Sequence, residues 1–322
     1  MNPAFSVIFL TTLIGVGQGL FLALYGAELL ALVGAIAIPD DRSFYALGSA
    51  ISLLFLAGGL GASFFHLGHP ERAWRAAAMW RTSWLSREII VLPAFMFTVI
   101  LYGMVHYFGG PMTADGSART AVVVIGGLAV VLCLALFACT AMIYACIKFL
   151  QEWASPLTLV NYFLLGCASG FTLATGFAFF TAPEMVRIYG ITAIILTFTG
   201  LISRATSLYR NARIKPKSTL QTATGIRHPR IVQKAQGAMG GSFNTRQYFH
   251  GKAAQFMRSV KWAFLVLVFL VPVLLLGKSL SDASAPFLVA AFIIQYVGLI
   301  AERWFFFAQA NHPQNLYYQQ IS

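Results

Sequence analysis

Eight apolar runs, each long enough to cross a bilayer, constrain this chain more than any other feature. They fall at roughly 5–37, 43–66, 87–108, 119–148, 156–180, 184–203, 259–278 and 285–308. A hydrocarbon core about 30 Å thick needs about 20 residues of α-helix. The runs are continuous, not alternating, which selects helices over the strands of a barrel. In lipid every backbone polar group must bond internally, and a helix does this within itself. Composition agrees. The set AVILMFWYC makes up 58% of the chain and charged residues 10%, against roughly 25% charged in a soluble protein. The 14% aromatic content excludes a disordered chain. The expected fold is an all-α polytopic integral membrane protein: eight transmembrane helices in a bundle, a short interfacial helix and one long loop. We expect one membrane-anchor domain, with a first four-helix half over 1–150 and a second over 151–322. The first run begins four residues after Met1 without a basic leader, and reads as a retained helix and not a signal peptide.

Eight crossings bring both termini to one side, here side A. The net charge of +12 is distributed unevenly. Side B holds Arg42, Arg119, Arg187 and Lys278, and the other 18 of the 22 Lys and Arg fall on side A. Asp40, Asp41, Asp115, Glu184 and Asp282 lie on side B. The positive-inside rule makes side A, with both termini, cytoplasmic. The side-B connections are short turns. A nucleic-acid partner is not expected, since the basic residues lie at a bilayer surface without a recognisable binding fold.

Side A carries two larger features. The 204–258 loop is basic, has no hydrophobic periodicity of its own, and intersperses Tyr, Phe and Ile among Gly, Pro and Thr. It reads as a docking surface for a cytoplasmic partner, with Arg227, Arg230, Lys234 and Arg246 as contacts. A basic loop lying over anionic lipid is the other reading. The 67–86 connection interleaves Trp74, Trp80 and Trp84 with Arg72, Arg75 and Arg81 behind Pro70 and Glu71. Proline and acid suit a first helical turn, and aromatic and arginine side chains suit the headgroup level. A short interfacial helix is expected there, with the three arginines also available to a partner.

Ionisable groups at membrane depth are costly and so become candidates for function. His66 closes the second run and Glu88 opens the third at the same depth. A quinone head group needs a hydrogen-bonding group at each carbonyl and a proton route, which a histidine and a partly buried carboxyl supply. The alternatives are a helix-end cap for His66, and a dipole-stabilised Glu88 paired with Arg87. Gln18, within G15-V-G-Q-G19, either bonds across helices or faces the same pocket, and the glycines permit close packing. Glu302 and Arg303 read as an ion-paired helix end, or as support for the quinone site. Cys133, Cys139, Cys146 and Cys167 form no C-x-x-C pair, so neither zinc nor an iron–sulfur cluster is expected, and they read as small buried residues. His106, at the outer end of the third run, lies too far from His66 along the membrane normal to share a haem, so no haem is expected.

The segments F65-H-L-G-H-P-E-R-A-W-R75 and S83-W-L-S-R-E88 resemble the signature of the dimethyl sulfoxide reductase anchor subunit family. The first span, the A301-E-R303 element and the eight-span layout are also similar to it. The loop segments S218-T-L-Q-T-A-T-G225 and G241-S-F-N-T-R-Q-Y-F-H-G251 resemble its sulfite dehydrogenase subgroup more than its archetypal members. The resemblance implies a bacterial inner-membrane anchor without a metal centre. It implies partnership with a molybdopterin catalytic subunit and a four-cluster iron–sulfur subunit, and electron exchange with ubiquinone or menaquinone. It also implies quinone-site roles for His66 and Glu88, beside which Gln18 and Arg87 are included, with Glu302 and Arg303 in support. The archetype's termini lie on the opposite side from those the charge count gives here. A secondary transporter is the alternative of a different class; it would show broken helices and midplane polar sites.

Overall fold

A computed structural model describes residues 1–36, 42–108, 116–232 and 247–318. Eight helices long and apolar enough to span a membrane run through it. They are α1 (Phe5–Leu32), α2 (Arg42–Phe64), α3 (Trp84–Phe108), α4 (Gly116–Ala145), α5 (Pro156–Thr181), α6 (Val186–Asn211), α7 (Ala254–Asp282) and α8 (Ala285–Ala308). No strand occurs among the described residues. The all-α bundle expected from the apolar runs is the observed fold. The Met1 amine donates to the carbonyls of Ala308 (3.2 Å) and Ala310 (2.8 Å), so the first and last spans meet on side A.

Two boundaries move around the long side-A connection. The sixth apolar run stops at 203, but α6 continues to Asn211. The seventh helix begins at Ala254 instead of 259. The long connection therefore shrinks to 212–253, and Arg204 belongs to a helix and not to a loop. Hydropathy ends a span at its first charge, whereas a helix can continue when that charge finds a buried partner. Lys234 and Arg246 lie outside the described residues.

The first span is the axis of the bundle, with most of its length enclosed by other helices. Close approach to α5 explains its glycines. A Cβ on Gly19 would stand 2.4 Å from the Gly166 carbonyl oxygen, and one on Gly170 would stand 2.3 Å from the Gly19 backbone. Gly15 and Gly19 thus face Gly166 and Gly170, two small-xxx-small pairs crossing backbone to backbone. The Ser52 hydroxyl on α2 donates to the Gly17 carbonyl (2.8 Å), and Gln18 Nε2 donates to the Cys133 carbonyl on α4 (2.8 Å). This axis packs on α5 and α8 across the expected boundary between four-helix halves.

In the seventh span the helix widens into a π turn over Val266–Leu270, just before Pro272. Proline has no N–H, so the carbonyl four residues back loses its donor. That carbonyl is Val268's, and Gln295 Nε2 of α8 donates to it at 3.3 Å. Gly298 lies against the same widened turn, leaving no room for a Cβ.

The connection between α2 and α3 is a 3-10 helix over Pro70–Met79, with no buried residue. A short helix on the surface was expected, and its threefold repeat accounts for the type. At 3.0 residues per turn, residues three apart stay in line. Arg72 and Arg75 share one row, and Glu71 and Trp74 another, with Trp80 and Arg81 in the turn that follows the helix. Arginine and tryptophan neighbours stack. The Arg75 guanidinium lies 5.6 Å from the Trp74 ring centre, and that of Arg81 lies 5.4 Å from Trp80. Trp74 is 71% exposed, as a group facing headgroups or a partner must be.

Candidate functional site

Two helix ends build the side-A site. His66 stands two residues past α2, exposed beside exposed Phe64 and Phe65. The surrounding chain removes enough water to hold its imidazole below the ordinary histidine pKa. The ring is therefore neutral at pH 7, with one nitrogen to donate and one to accept. Glu88 lies in the second turn of α3 and points the other way, into the bundle, at 5% exposure. The Thr140 hydroxyl of α4 donates to its Oε1. No hydrogen bond joins Glu88 to His66. Glu88 is thus within the packed interior, where the Thr140 hydroxyl gives its carboxyl a partner.

Arg87 does not pair with Glu88. Its Nε donates to the Trp80 carbonyl (2.9 Å), its Nη2 to the Arg81 carbonyl (2.8 Å), and it lies 4.2 Å from the Trp84 ring centre. It ties the end of the 3-10 helix to α3, and so sets the entry geometry of the segment that carries Glu88.

Behind Thr140 is a small internal cavity with room for about one water molecule. Thr12, Gln18, Thr140, Tyr162, Ser169 and Arg303 contribute its polar lining. The Arg303 guanidinium lies flat over Tyr162, 3.7 Å from the ring centre. Glu302 bonds first with Arg204 of α6, Nε to Oε1 at 2.7 Å, and reaches Arg303 only at 3.9 Å. The expected Glu302–Arg303 pair is therefore a triad with Arg204, all three 4% exposed or less. Its charge is one positive in excess, and the faces of Tyr162, Phe264 and Phe306 stabilise it through cation–π contact. Arg204 was missed because it was counted as a loop charge; its signal was a glutamate on another apolar span in need of a partner.

Cys133, Cys139 and Cys167 are buried as expected, but Cys146 is exposed just past α4. No cluster of three or more His, Cys, Asp or Glu suited to a metal ion occurs among the described residues. On side A a groove of about 850 Å³ runs between the α4–α5 connection, the segment after α6 and the chain after α8. Lys148, Glu152, Lys217, Ile231 and His312 line it. Arg72, Arg75, Arg81, Arg227 and Arg230 are exposed around the same face.

A bundle of eight helices long and apolar enough to cross a bilayer is the architecture of a multi-pass membrane protein. Residues 1–318 match the family described as DMSO reductase anchor subunit (DmsC), and the chain belongs to that family. It is 54% identical over 326 residues to the C subunit of sulfite dehydrogenase from Allochromatium vinosum, covering the whole of both chains. Membership of an anchor family leaves the transporter reading without support.

Proposed function

We propose that this chain anchors a molybdopterin oxidoreductase to the bacterial inner membrane and passes electrons between its iron–sulfur subunit and the quinone pool. The name of the 54%-identical relative favours sulfite oxidation with quinone as acceptor, and reduction of dimethyl sulfoxide by quinol is the other reaction of the family. The observation that carries the reading is the presence, at one bundle end, of an exposed imidazole at His66 and a buried carboxyl at Glu88. His66 bonds one quinone carbonyl at the lipid-facing surface. Glu88 carries protons inward, through Thr140 and the water-sized cavity. Gln18 and Arg303 line that cavity, Glu302 fixes Arg303, and Arg87 holds the connecting helix. The cavity is far too small for a quinone ring, so the ring lies outside it, against Phe64 and Phe65.

The basic side-A face receives a four-cluster iron–sulfur subunit, which bridges to the molybdopterin subunit; Arg72, Arg75, Arg81, Arg227 and Arg230 are its exposed contacts, and Lys234 and Arg246 are proposed contacts outside the described residues. Charge complementarity steers that docking. Electrons then travel a short way from the nearest cluster to the quinone. Side A is cytoplasmic in this reading, and ubiquinone and menaquinone both suit the site.

The test is to purify the complex carrying His66→Ala or Glu88→Gln. Each should assemble, keep activity with a soluble dye and lose quinone-linked activity at least tenfold. Normal quinone-linked turnover in both variants overturns the site. Co-purification of the tagged chain without a molybdenum subunit overturns the partnership.

A further inference from the structure

The opposite end of the bundle holds a second ionisable cluster that the quinone reading does not use. Glu28 lies within α1 at 1% exposure. The Tyr102 hydroxyl of α3 donates to its Oε2, and His106 Nε2 stands 3.3 Å from the same oxygen. Tyr45 of α2 stacks on the His106 ring, with centroids 4.3 Å apart and planes 16° apart. Three polar atoms here are buried without a hydrogen-bond partner: Glu28 Oε1, the Tyr45 hydroxyl and the Ser49 hydroxyl. Ser49 follows Tyr45 by one turn and packs on Gly103, next to Tyr102. The other ionisable groups acting on the cluster are Tyr25 on α1, Tyr189 on α6 and Glu184 just before α6. From α4 the cluster receives the Val123 carbonyl, bonded by Tyr25. Among the described side chains, no lysine or arginine is one of these groups.

A carboxyl and an imidazole in contact, away from water, hold one proton between them most favourably. Without that proton the carboxylate is bare and buried, so the geometry favours uptake of one proton shared by the two groups. Buried oxygens without protein partners are where ordered water sits, and Glu28 Oε1 and the hydroxyls of Tyr45 and Ser49 are three such oxygens. The site is also near its surface. Glu28 is four residues from the end of α1, Tyr45 three from the start of α2, and His106 two from the end of α3. At 1.5 Å per residue all three lie within about 6 Å of the side-B helix ends.

We propose that Glu28 and His106 form a proton-binding site, separate from His66 and Glu88, that exchanges its proton with the medium on side B. The ligand is a proton. It travels through water held at Tyr45 and Ser49 to Glu28 Oε1 and is shared with His106; no electron moves and no other bond changes. The proposal stands without any quinone at side A.

Infrared difference spectra of the purified complex, in vesicles of known orientation, test it directly. Acidifying the side-B medium should raise a protonated-carboxyl band. Glu28→Gln should remove that band, and Glu88→Gln should leave it. His106→Gln should move its pH midpoint by at least one unit, and sodium ions at constant pH should leave it unchanged. The proposal is overturned if the band survives Glu28→Gln, follows side-A pH alone, keeps its midpoint in His106→Gln, or is displaced by sodium. Should Glu28→Gln fail to accumulate, Glu28→Asp keeps a carboxyl and should shift the band's frequency; an unshifted band likewise overturns it.

Discussion

Glu302 holds two guanidinium groups where almost no water reaches. Removing one member of a buried ion pair leaves the other unpaired and costs about 3–5 kcal/mol. Glu302→Gln should therefore lower the unfolding midpoint of the purified chain sharply, and Arg204→Gln added to it should recover part of the loss. A midpoint unchanged by Glu302→Gln would mean that the triad is not under load. His66 responds to pH in a definite direction. Its folded pKa is held below the ordinary value of about 6.5. The unfolded chain thus binds more protons in the window just under that value, and stability falls as pH drops through it. Quinone-linked turnover, which in the proposed site uses the neutral ring, should fall on the same acid side, and dye-linked turnover should keep its own profile. Individual residues were unevenly legible in the sequence. His66 and Glu88 stood out because each borders an apolar run. Glu28 was overlooked although it interrupts such a run, the strongest signal an intramembrane carboxyl gives. Arg204 could not be placed, because its partner lies 98 positions away and only the folded bundle brings them together.

At the scale of elements, the crossing of α1 and α5 rests on missing side chains. Gly170→Ala would place a methyl 2.3 Å from the Gly19 backbone, where nothing flexible can yield. We expect a loss of about 1–3 kcal/mol or more, read as lower thermal stability in detergent. Gly26→Ala on the same α1 meets nothing within 4 Å and should be neutral to mildly stabilising; equal effects at the two positions would refute the crossing as the cause. The sequence revealed the α1 half of this contact through G15-V-G-Q-G19, but not its partner, since glycines spaced by four also occur for other reasons. The connecting helix shows the same limit. Its alternating Arg and Trp announced a surface helix, while the threefold row that selects the 3-10 form became visible only with the element placed.

For the whole molecule, the charge asymmetry survives the corrections to individual residues. Arg204 and Arg303 leave the side-A loop count for the buried interior, and 16 basic residues still stand there against four on side B. A reporter fused after Ser322 should be active on the cytoplasmic side; a periplasmic signal would reverse the assignment of both faces. The number of spans was plain in the sequence because hydropathy is local. The order in which the spans pack is not local, and there the fold has a consequence for how the chain is made. The helix most enclosed in the finished bundle leaves the ribosome before the helices that enclose it: the glycine face it needs arrives with α5, and the carbonyls that receive the Met1 amine arrive only with the end of α8. Until then α1 has backbone packed for a neighbour that does not yet exist. The insertion machinery, or lipid itself, must shelter that notched surface until α5 is made, and a nascent chain released before α5 emerges would carry an open seam along α1.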